Sequence, residues 1–254
     1  MTPTPAKILV NVFPKNGTHL LLSLLDALPG YRYAGVDIDI ADEARALAVI
    51  RQMRAGEVVK AHLPWRDSIA EEIAARQIRV LSIIRDPRDN VVSLVNYLMK
   101  QQQHPLHPAY AQLADFDERL YRTITGFSFA GQRVCRDLGA RLGDWEGWYQ
   151  LGAPQLHFEQ LIGPRGGGDA ASQQQAIGAV VEYLGLTLES TAMANLSQQV
   201  YNPKTHSFHK GQCGAWRQHF TSRHRKAMQE SANWALLKYG YERDPNWADG
   251  GDPA

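Results

Sequence analysis

The sequence lacks the features that mark several special classes of protein. Only 2 of its 254 residues are cysteine, Cys135 and Cys213, and no C-x-x-C spacing occurs, which excludes a zinc ribbon and a thioredoxin-type motif. A reduced intracellular pair is the simplest interpretation of the two. No apolar run is long enough to span a bilayer, and residues 1–7 lack a basic stretch followed by an apolar core. We therefore expect no membrane partner, no secretory signal and a cytoplasmic location.

An excess of charge of either sign is also lacking. Lys and Arg total 27 and Asp and Glu 26, a net charge of +1. This balance argues against a nucleic-acid partner, which requires a basic surface, but it leaves room for a small anion in a local pocket. With 44% hydrophobic and 21% charged residues the composition is globular. We expect a single domain over 1–254, with its core at about 7–241 and a frayed tail at 246–254.

Predicted strands alternate with predicted helices along the chain. The apolar patterns predict strands at 7–13, 58–61, 78–84 and 155–158, and helices at 19–28, 41–55, 68–76, 89–101, 116–124, 129–138, 171–184 and 222–239. The alternation predicts an α/β fold with a central, mainly parallel β-sheet flanked by helices.

A lysine-containing loop, 14–18, follows the first predicted strand and precedes a helix. Helix N-termini bind anions through backbone N–H groups, Gly17 permits a tight turn, and Lys15 and Thr18 can add a charge and a hydroxyl. The pattern is not a Walker A motif, because it has one glycine and the lysine precedes it. An ordinary turn with a surface lysine fits this segment alone equally well.

Two further strand ends carry polar groups of the same kind. Lys60 and His62 end the strand at 58–61, where a histidine can serve as a general base. A capping histidine and a solvated lysine are the structural alternative. Arg85 ends the strand at 78–84, Ser93 lies in the helix that follows, and Arg88 is expected to pair with Asp86 or Asp89. In an α/β sheet, ligands bind outside the carboxyl ends of the strands, so these groups are expected to share one site.

Together with a basic loop at 206–221, these segments resemble the sulfotransferases that use 3′-phosphoadenosine 5′-phosphosulfate (PAPS). The family motifs P-K-S-G-T-T-W, K-T-H-L-P and R-K-G-x-x-G-D-W-K-N-H-F-T look like residues 14–20, 60–64 and 209–221, and the family's Y-E-D looks like Phe158-Glu159-Gln160. The family's arginine and serine, eight residues apart, look like Arg85 and Ser93. The order and intervals of these motifs carry the resemblance.

The resemblance implies a P-loop-NTPase-like sulfotransferase fold and transfer of a sulfuryl group from PAPS to a hydroxyl or amine, leaving 3′,5′-ADP (PAP). It implies that His62 is the base, Lys15 neutralises the leaving phosphate oxygen and Lys60 stabilises the sulfuryl oxygens. It further implies a nucleotide site of three parts. The loop residues Lys15, Asn16, Gly17, Thr18 and His19 hold the 5′-phosphate; Arg85, Ser93, His209, Lys210 and Gly211 bind the 3′-phosphate; and Leu20 and Phe158 lie by the adenine.

The sequence departs from the family at several of these positions. Leu20 stands where the family has its adenine-stacking tryptophan, for which Phe158 and Trp216 are the candidates by position, and His209 replaces an arginine. The expected acceptor is a small-molecule alcohol or phenol, bound by some of the aromatics Trp65, Tyr97, Phe116, Tyr121, Phe127 and Phe129. Neither His104/His107 nor His206/His209 has further ligands nearby, so no metal is expected. A P-loop-class kinase and a non-catalytic 3′,5′-ADP-binding protein are the alternatives, and the oligomeric state stays open.

Overall fold

A computed structural model of the protein describes residues 4–39, 42–200 and 212–249. The elements, in chain order, are β1 (Lys7–Asn11), α1 (Thr18–Asp26), β2 (Arg32–Ile38), α2 (Glu43–Gln52), β3 (Glu57–Ala61), α3 (Asp67–Ala75), β4 (Ile78–Leu81), β5 (Ile83–Ile84), α4 (Pro87–Lys100), α5 (His107–Ala111), α6 (Phe116–Thr125), β6 (Phe127–Phe129), β7 (Gln132–Cys135), α7 (Leu138–Gly143), β8 (Leu156–His157), α8 (Phe158–Leu161), α9 (Ala170–Tyr183), α10 (Ser190–Val200) and α11 (Ser222–Lys238).

The chain divides into two compact units. The first comprises Met1–Arg85 and Trp145–Gly211, and the second comprises Asp86–Asp144 and Gln212–Ala254. The boundaries of the single domain expected from the sequence stay a prediction. Within the described residues, no helix is both long and apolar enough to cross a bilayer.

A parallel four-stranded sheet forms the centre of the first unit, as the alternation of strands and helices predicts. Its strand order is β2-β3-β1-β4, with β1 between β3 and β4. Ile8, Leu9 and Val10 of β1 are fully buried, because a parallel strand with both faces covered has no side toward water. All four strands run the same way, so the residues that follow β1, β2, β3 and β4 meet at one edge.

The edge strand of this sheet, β2, is not predicted by the apolar pattern of the sequence. Most of its side chains are half-buried or exposed, so it lacks the apolar run that marks a buried strand. Its pairing with β3 is also irregular, since Tyr33 is opposite Val58 but Asp37 is opposite Lys60. Gly35 lies inside this irregularity with a φ of 70°. Four residue steps along β2 therefore match two along β3, so this β-bulge inserts two extra residues into β2.

The strand predicted at 78–84 is interrupted at Ser82. Its first part, β4, pairs with β1, whereas β5 pairs in parallel with β8. The Ser82 hydroxyl donates a 2.6 Å hydrogen bond to the carbonyl of Asn11, which fixes the change of partner. Arg85 follows β5 directly and is thereby held beside the loop after β1.

The second unit contains α4 to α7, the β6–β7 hairpin and α11. The helix predicted at 129–138 is wrong: Phe127–Phe129 and Gln132–Cys135 are antiparallel strands joined by Ala130 and Gly131. These two residues have φ values of 50° and 76°, the pair of positive angles that a type I′ hairpin turn requires. The helices predicted at 89–101, 116–124 and 222–239 correspond to α4, α6 and α11 within a few residues.

Arg88, near the start of α4, organises the second unit. It forms an ion pair of 2.8 Å with Asp86 and a second with Glu242, and its guanidinium carbon lies 4.0 Å and 4.9 Å from the ring centroids of Trp216 and Trp247. The predicted structural role of Arg88 is thus confirmed, with Asp86 rather than Asp89 as the nearer acid. Trp247 belongs to the tail expected to fray, and there it forms part of a short 3-10 helix.

Asp89 binds backbone N–H groups of a distant segment in the same unit. Its carboxylate is 1% exposed and accepts hydrogen bonds from the backbone N–H groups of Gly214 at 2.6 Å and Trp216 at 2.9 Å. A buried charge of this kind is stable only when donors satisfy it. Asp89 therefore anchors the segment that begins at 212 to the first turn of α4.

Candidate active site

The loop between β1 and α1 is held in an unusual backbone conformation. Lys15 has a φ of 70° and Gly17 a φ of 103°, and a left-handed lysine is uncommon and costs energy. Asn16, between them, is 2% exposed and donates from Nδ2 to the carbonyl of Ile83 at 3.2 Å. The side chain of Asn16 thus ties the loop to β5, and this tie helps to hold Lys15 in its strained conformation.

Gly17 is required at its position for two reasons. Its φ lies in the left-handed region, and a Cβ there would lie 2.5 Å from Cδ2 of Phe158. Phe158 begins α8 and is 4% exposed, so its ring has no space into which to retreat. Gly17 is also the N-cap of α1, and no side chain caps that helix. The first N–H groups of α1 are therefore left for an external acceptor.

The surroundings of Lys15 disfavour its protonated, positively charged form. Burial, together with the positive charges of Arg85 and Lys60, lowers the pKa of Lys15 to about 8. Arg85 and Lys60 thus both lie close enough to Lys15 to repel its positive charge at the carboxyl edge of the sheet. Cations gathered in a partly desolvated place favour binding of an anion, because the anion relieves their mutual repulsion.

His62 has the geometry of a general base. Its Nδ1 lies 2.6 Å from the carbonyl oxygen of Val12, and because a carbonyl only accepts, Nδ1 carries the proton. Nε2 of the neutral ring then holds a lone pair, and it has no hydrogen-bond partner among the described residues of the first unit. Burial lowers the pKa of His62 and Lys60 lowers it further, against the opposing effects of Val12, Asp39 and Asp37. The ring is therefore neutral near pH 7.

Lys60 forms an ion pair that the sequence analysis missed. Its ammonium group contacts the carboxylate of Asp37, which also accepts a hydrogen bond from the hydroxyl of Tyr33. Burial opposes ionisation of Asp37, but the hydrogen bonds from Lys60 and Tyr33 outweigh it and hold the pKa of the carboxyl below its usual value. The alternative of a fully solvated lysine does not hold, since the Lys60 side chain is 17% exposed.

The side chain of Arg85 is placed to bind an anion. It is 8% exposed, donates from Nη1 to the carbonyl of Lys15 at 3.0 Å, and has its guanidinium carbon 4.2 Å from the centroid of the Phe158 ring. Its Nε is buried and has no acceptor in the described part of the chain. An unsatisfied buried donor is costly. An anion such as a phosphate would satisfy it, so Arg85 fits the phosphate-binding role that the resemblance implies.

The first residues of α1 differ in their exposure. Thr18 and Leu20 are buried, at 6% and 5% exposed, and Leu20 packs near Gly17. His19 is half-buried, and its pKa is lowered by burial and then by the charges of Lys60 and Lys15. His19 therefore joins Lys15, Lys60 and His62 at the same edge, as a neutral ring near pH 7.

Of three comparisons with known proteins, one found similar structures. The sequence matches no family model and no curated protein. The structure is similar to mouse sulfotransferase SULT7A1 complexed with PAP, at a TM-score of 0.64 and 14% identity, over 96% of this chain and 88% of that one. The chain has the sulfotransferase fold. A retinol dehydratase in complex with androsterone and the inactive cofactor PAP is similar too, at a TM-score of 0.58 and 15% identity, over 97% of this chain and 84% of that chain.

Several predicted site residues of this sulfotransferase fold lie beyond the first unit or outside the described residues. Ser93 lies in the second turn of α4, in the second unit, so its pairing with Arg85 stays a prediction. His209, Lys210 and Gly211 lie outside the described residues. Trp216 is 7% exposed and packs against Arg88 in the second unit.

Two tryptophans at the start of the second segment of the first unit belong to its core. Trp145 and Trp148 are 3% and 1% exposed, and Trp148 donates from Nε1 to the carbonyl of Leu63 at 2.8 Å. Trp65 packs edge-on against Trp148 and covers Gly147, where a Cβ would lie 2.2 Å from the indole. This packing holds the segment that carries His62. Among the described residues, no cluster of three or more His, Cys, Asp or Glu side chains has metal-site geometry.

Proposed function

We propose that the protein is a PAPS-dependent sulfotransferase that acts on a hydroxyl or amine of a small molecule. One observation carries the proposal: His62, with an available Nε2, shares the carboxyl edge of the sheet with the cations Lys15, Lys60 and Arg85. Anion binding alone would not call for a base at this position. The sulfotransferase fold supports the same conclusion, because both similar structures contain PAP.

In this proposal His62 removes the proton of the acceptor. Its Nε2 accepts the proton as the acceptor oxygen or nitrogen attacks sulfur, and the Val12 carbonyl stabilises the imidazolium that forms through Nδ1. PAPS supplies the sulfuryl group, whose S–O bond to the 5′-phosphate breaks in the same step. The lowered pKa of His62 keeps the ring unprotonated, and ready to act, at neutral pH.

The two lysines provide charge where charge develops. Lys15 stabilises the phosphate oxygen that leaves, and Lys60 stabilises the oxygens of the sulfuryl group, as the resemblance implies. Fixed charges that are aimed at a transition state require little reorganisation. The strained backbone of Lys15, the tie from Asn16 and the pairing of Lys60 with Asp37 all support such fixed placement.

Nucleotide binding is assigned to the loop and to Arg85. The uncapped N-terminus of α1, with Thr18 and His19, holds the 5′-phosphate, and Arg85 takes the 3′-phosphate through its unsatisfied Nε. Ser93, His209, Lys210 and Gly211 complete this second contact in the proposal. Phe158 and Leu20 are assigned to the adenine side of the site, and Phe158 also supports the Arg85 guanidinium.

We propose an apolar alcohol or phenol as acceptor. The retinol dehydratase structures contain androsterone in one case and retinol in the other, both with PAP. A base with a lowered pKa suits an acceptor whose proton is itself acidic, which favours a phenol within that class. No metal is required, since lysines supply the positive charge.

The test is transfer of labelled sulfate from PAPS across a panel of phenols, alcohols and amines, with ATP as a parallel donor. We expect transfer from PAPS to at least one acceptor and none from ATP. His62→Asn keeps a hydrogen-bonding side chain but lacks the base, so kcat should fall by at least about a hundredfold while PAP affinity changes less than threefold.

Three outcomes would contradict the proposal in different ways. Phosphoryl transfer from ATP alone would identify a kinase. PAP binding without turnover on any acceptor would identify a binding protein. A His62→Asn variant that retains full turnover would remove the assigned base. Thr123→Ser, a conservative change in the second unit, serves as the control for handling and expression.

A further inference from the structure

Asp37 lies next to the proposed catalytic Lys60, on the neighbouring strand. It lies on β2, and its register partner on β3 is Lys60. The carboxylate accepts from the Lys60 ammonium and from the Tyr33 hydroxyl. The sequence motifs do not include this residue, and its strand was not predicted at all. Its position raises the question of what a carboxylate contributes to a site built for anions.

The β-bulge of β2 creates this contact. In a regular strand, side chains four residues apart are about 13 Å apart along the strand, too far for Tyr33 to reach Asp37. The bulge at Gly35 compresses this interval and moves Asp37 opposite Lys60. A strand that only covered β3 would have no need of the irregularity, so the bulge serves to aim the carboxylate.

The negative charge of Asp37 opposes binding of the anionic nucleotide but restricts the conformations of the Lys60 side chain. A carboxylate that contacts Lys60 weakens the attraction of the site for an anion. The same carboxylate restricts Lys60, whose long side chain otherwise samples many rotamers. The Lys60 side chain is 17% exposed and that of Asp37 43%, so solvent screens the pair and its contribution to overall stability is small.

Lys60 remains able to act while it is paired. An ammonium group has three N–H donors, and the carboxylate of Asp37 occupies one side of it. The remaining donors are available to an anion at the strand ends. The pair therefore keeps the ammonium in one place without consuming its capacity to stabilise charge.

We propose that Asp37, itself held by Tyr33, is a positioning residue that orients Lys60 for sulfuryl transfer. This inference rests on the proposed function. Its consequence is a separation of two properties: Asp37 increases the rate of the chemical step while it lowers, or leaves unchanged, the affinity for the nucleotide. A residue with a purely structural role would change both together.

The main experiment compares Asp37→Asn with Asp39→Asn. Asp39 is an exposed neighbour on the same segment, it has no ion pair with Lys60, and its replacement removes the same charge. The Asp39 charge raises the pKa of His62, so its removal only lowers that pKa further and leaves the ring neutral near pH 7. In Asp37→Asn, kcat should fall roughly ten- to a hundredfold, since misplacement of a catalytic group by about 1 Å has effects of this size. PAP affinity, measured by calorimetry, should stay equal or become up to about fivefold tighter. Asp39→Asn should leave kcat within about twofold.

A double-mutant cycle with Lys60→Met tests whether Asp37 acts through the lysine. We expect that Asp37→Asn lowers kcat no further once Lys60 is absent, because a residue that acts only by positioning Lys60 has no effect without it. Tyr33→Phe should lower kcat less than Asp37→Asn, since it removes only the hydrogen bond that supports the carboxylate. Thermal unfolding of each variant shows whether the fold is intact.

The results separate this inference from the proposed function. A wild-type protein that binds no PAP and transfers no sulfate would overturn the function, and this role with it. Wild-type turnover, combined with additive effects of Lys60→Met and Asp37→Asn, would overturn the positioning role alone. So would a loss of PAP affinity in a folded Asp37→Asn variant that matches its loss of kcat, or an equal loss of kcat in Asp39→Asn.

Discussion

Binding of PAP should draw a proton onto Lys15. In the structure, burial and the charges of Arg85 and Lys60 lower the pKa of this lysine to about 8. An anion next to the ammonium reverses the electrostatic part of this effect and raises the pKa toward its ordinary value of about 10.4. Since the bound state then holds more protons than the unbound state, affinity must fall as the pH rises.

The size of this effect follows from the pKa. At pH 8 about half of the Lys15 side chains are neutral, and at pH 9 about nine-tenths are. Complete protonation on binding would therefore take up about 0.5 proton per PAP at pH 8 and about 0.9 at pH 9. Affinity at pH 9 should be about tenfold lower than its limit at low pH. The phosphates of PAP contribute little here, because their second pKa is about 6.

Calorimetry measures the proton uptake directly. The apparent enthalpy of PAP binding is recorded at pH 8 and pH 9 in buffers that differ in ionisation enthalpy, and its slope against that enthalpy gives the protons taken up. Lys15→Arg is the matched control, because arginine keeps the charge but stays protonated throughout this range. Lys15→Met removes both the charge and the titration.

Equal proton uptake by wild-type protein and Lys15→Arg at pH 8 would refute the reasoning. That result would mean either that Lys15 is fully charged before PAP binds, or that PAP binds away from the loop. Affinity of the wild-type protein that is constant between pH 7 and pH 9 would have the same meaning. Weak binding to Lys15→Met at every pH would show only that the charge matters, so the arginine variant decides the question.

Three further predictions follow from the packing and the charges. Gly17→Ala should lower the free energy of unfolding by about 1–3 kcal/mol, because the new Cβ meets Phe158 and the φ of this residue is positive. The control, Gly143→Ala, places its Cβ in open space and should leave the free energy of unfolding nearly unchanged in chemical denaturation; equal stability of the two variants would contradict the prediction. Asp89→Asn should cost about 1.5–3 kcal/mol in the same assay, because Gly214 and Trp216 donate to different carboxylate oxygens and asparagine replaces one of these oxygens with an NH2 donor. An unchanged midpoint would show that these bonds are dispensable. The acid limb of kcat/KM should lie below pH 6.5, because burial lowers the pKa of His62 and activity is lost only when the ring is protonated; a pH-rate profile with its acid limb above pH 6.5 would exclude His62 as the base.

The sequence predicted the parts of the fold whose signal is local. The strand at β1 is a short run of buried β-branched residues, and α4 and α11 are long enough for their apolar period to be read. The hairpin of β6 and β7 was assigned as helix because Ala130 is not a typical turn residue, although its φ is positive. Turn geometry imposed on an ordinary residue leaves no trace in composition.

The candidate site likewise contains residues that the sequence predicts and one that it does not. Parallel strands bring the residues at and just beyond their carboxyl ends to one edge of the sheet. Lys15, Lys60, His62 and Arg85 could be predicted because each lies near such a strand end. Asp37 could not be predicted, because its place opposite Lys60 depends on a bulge that offsets β2 by two residues against β3. Gly35 is the one local signal, and a glycine inside a strand pattern is compatible with many bulges. A regular register would instead set Asp37 opposite His62, so the partner of the carboxylate is decided by the pairing of two strands and not by either strand's own residues.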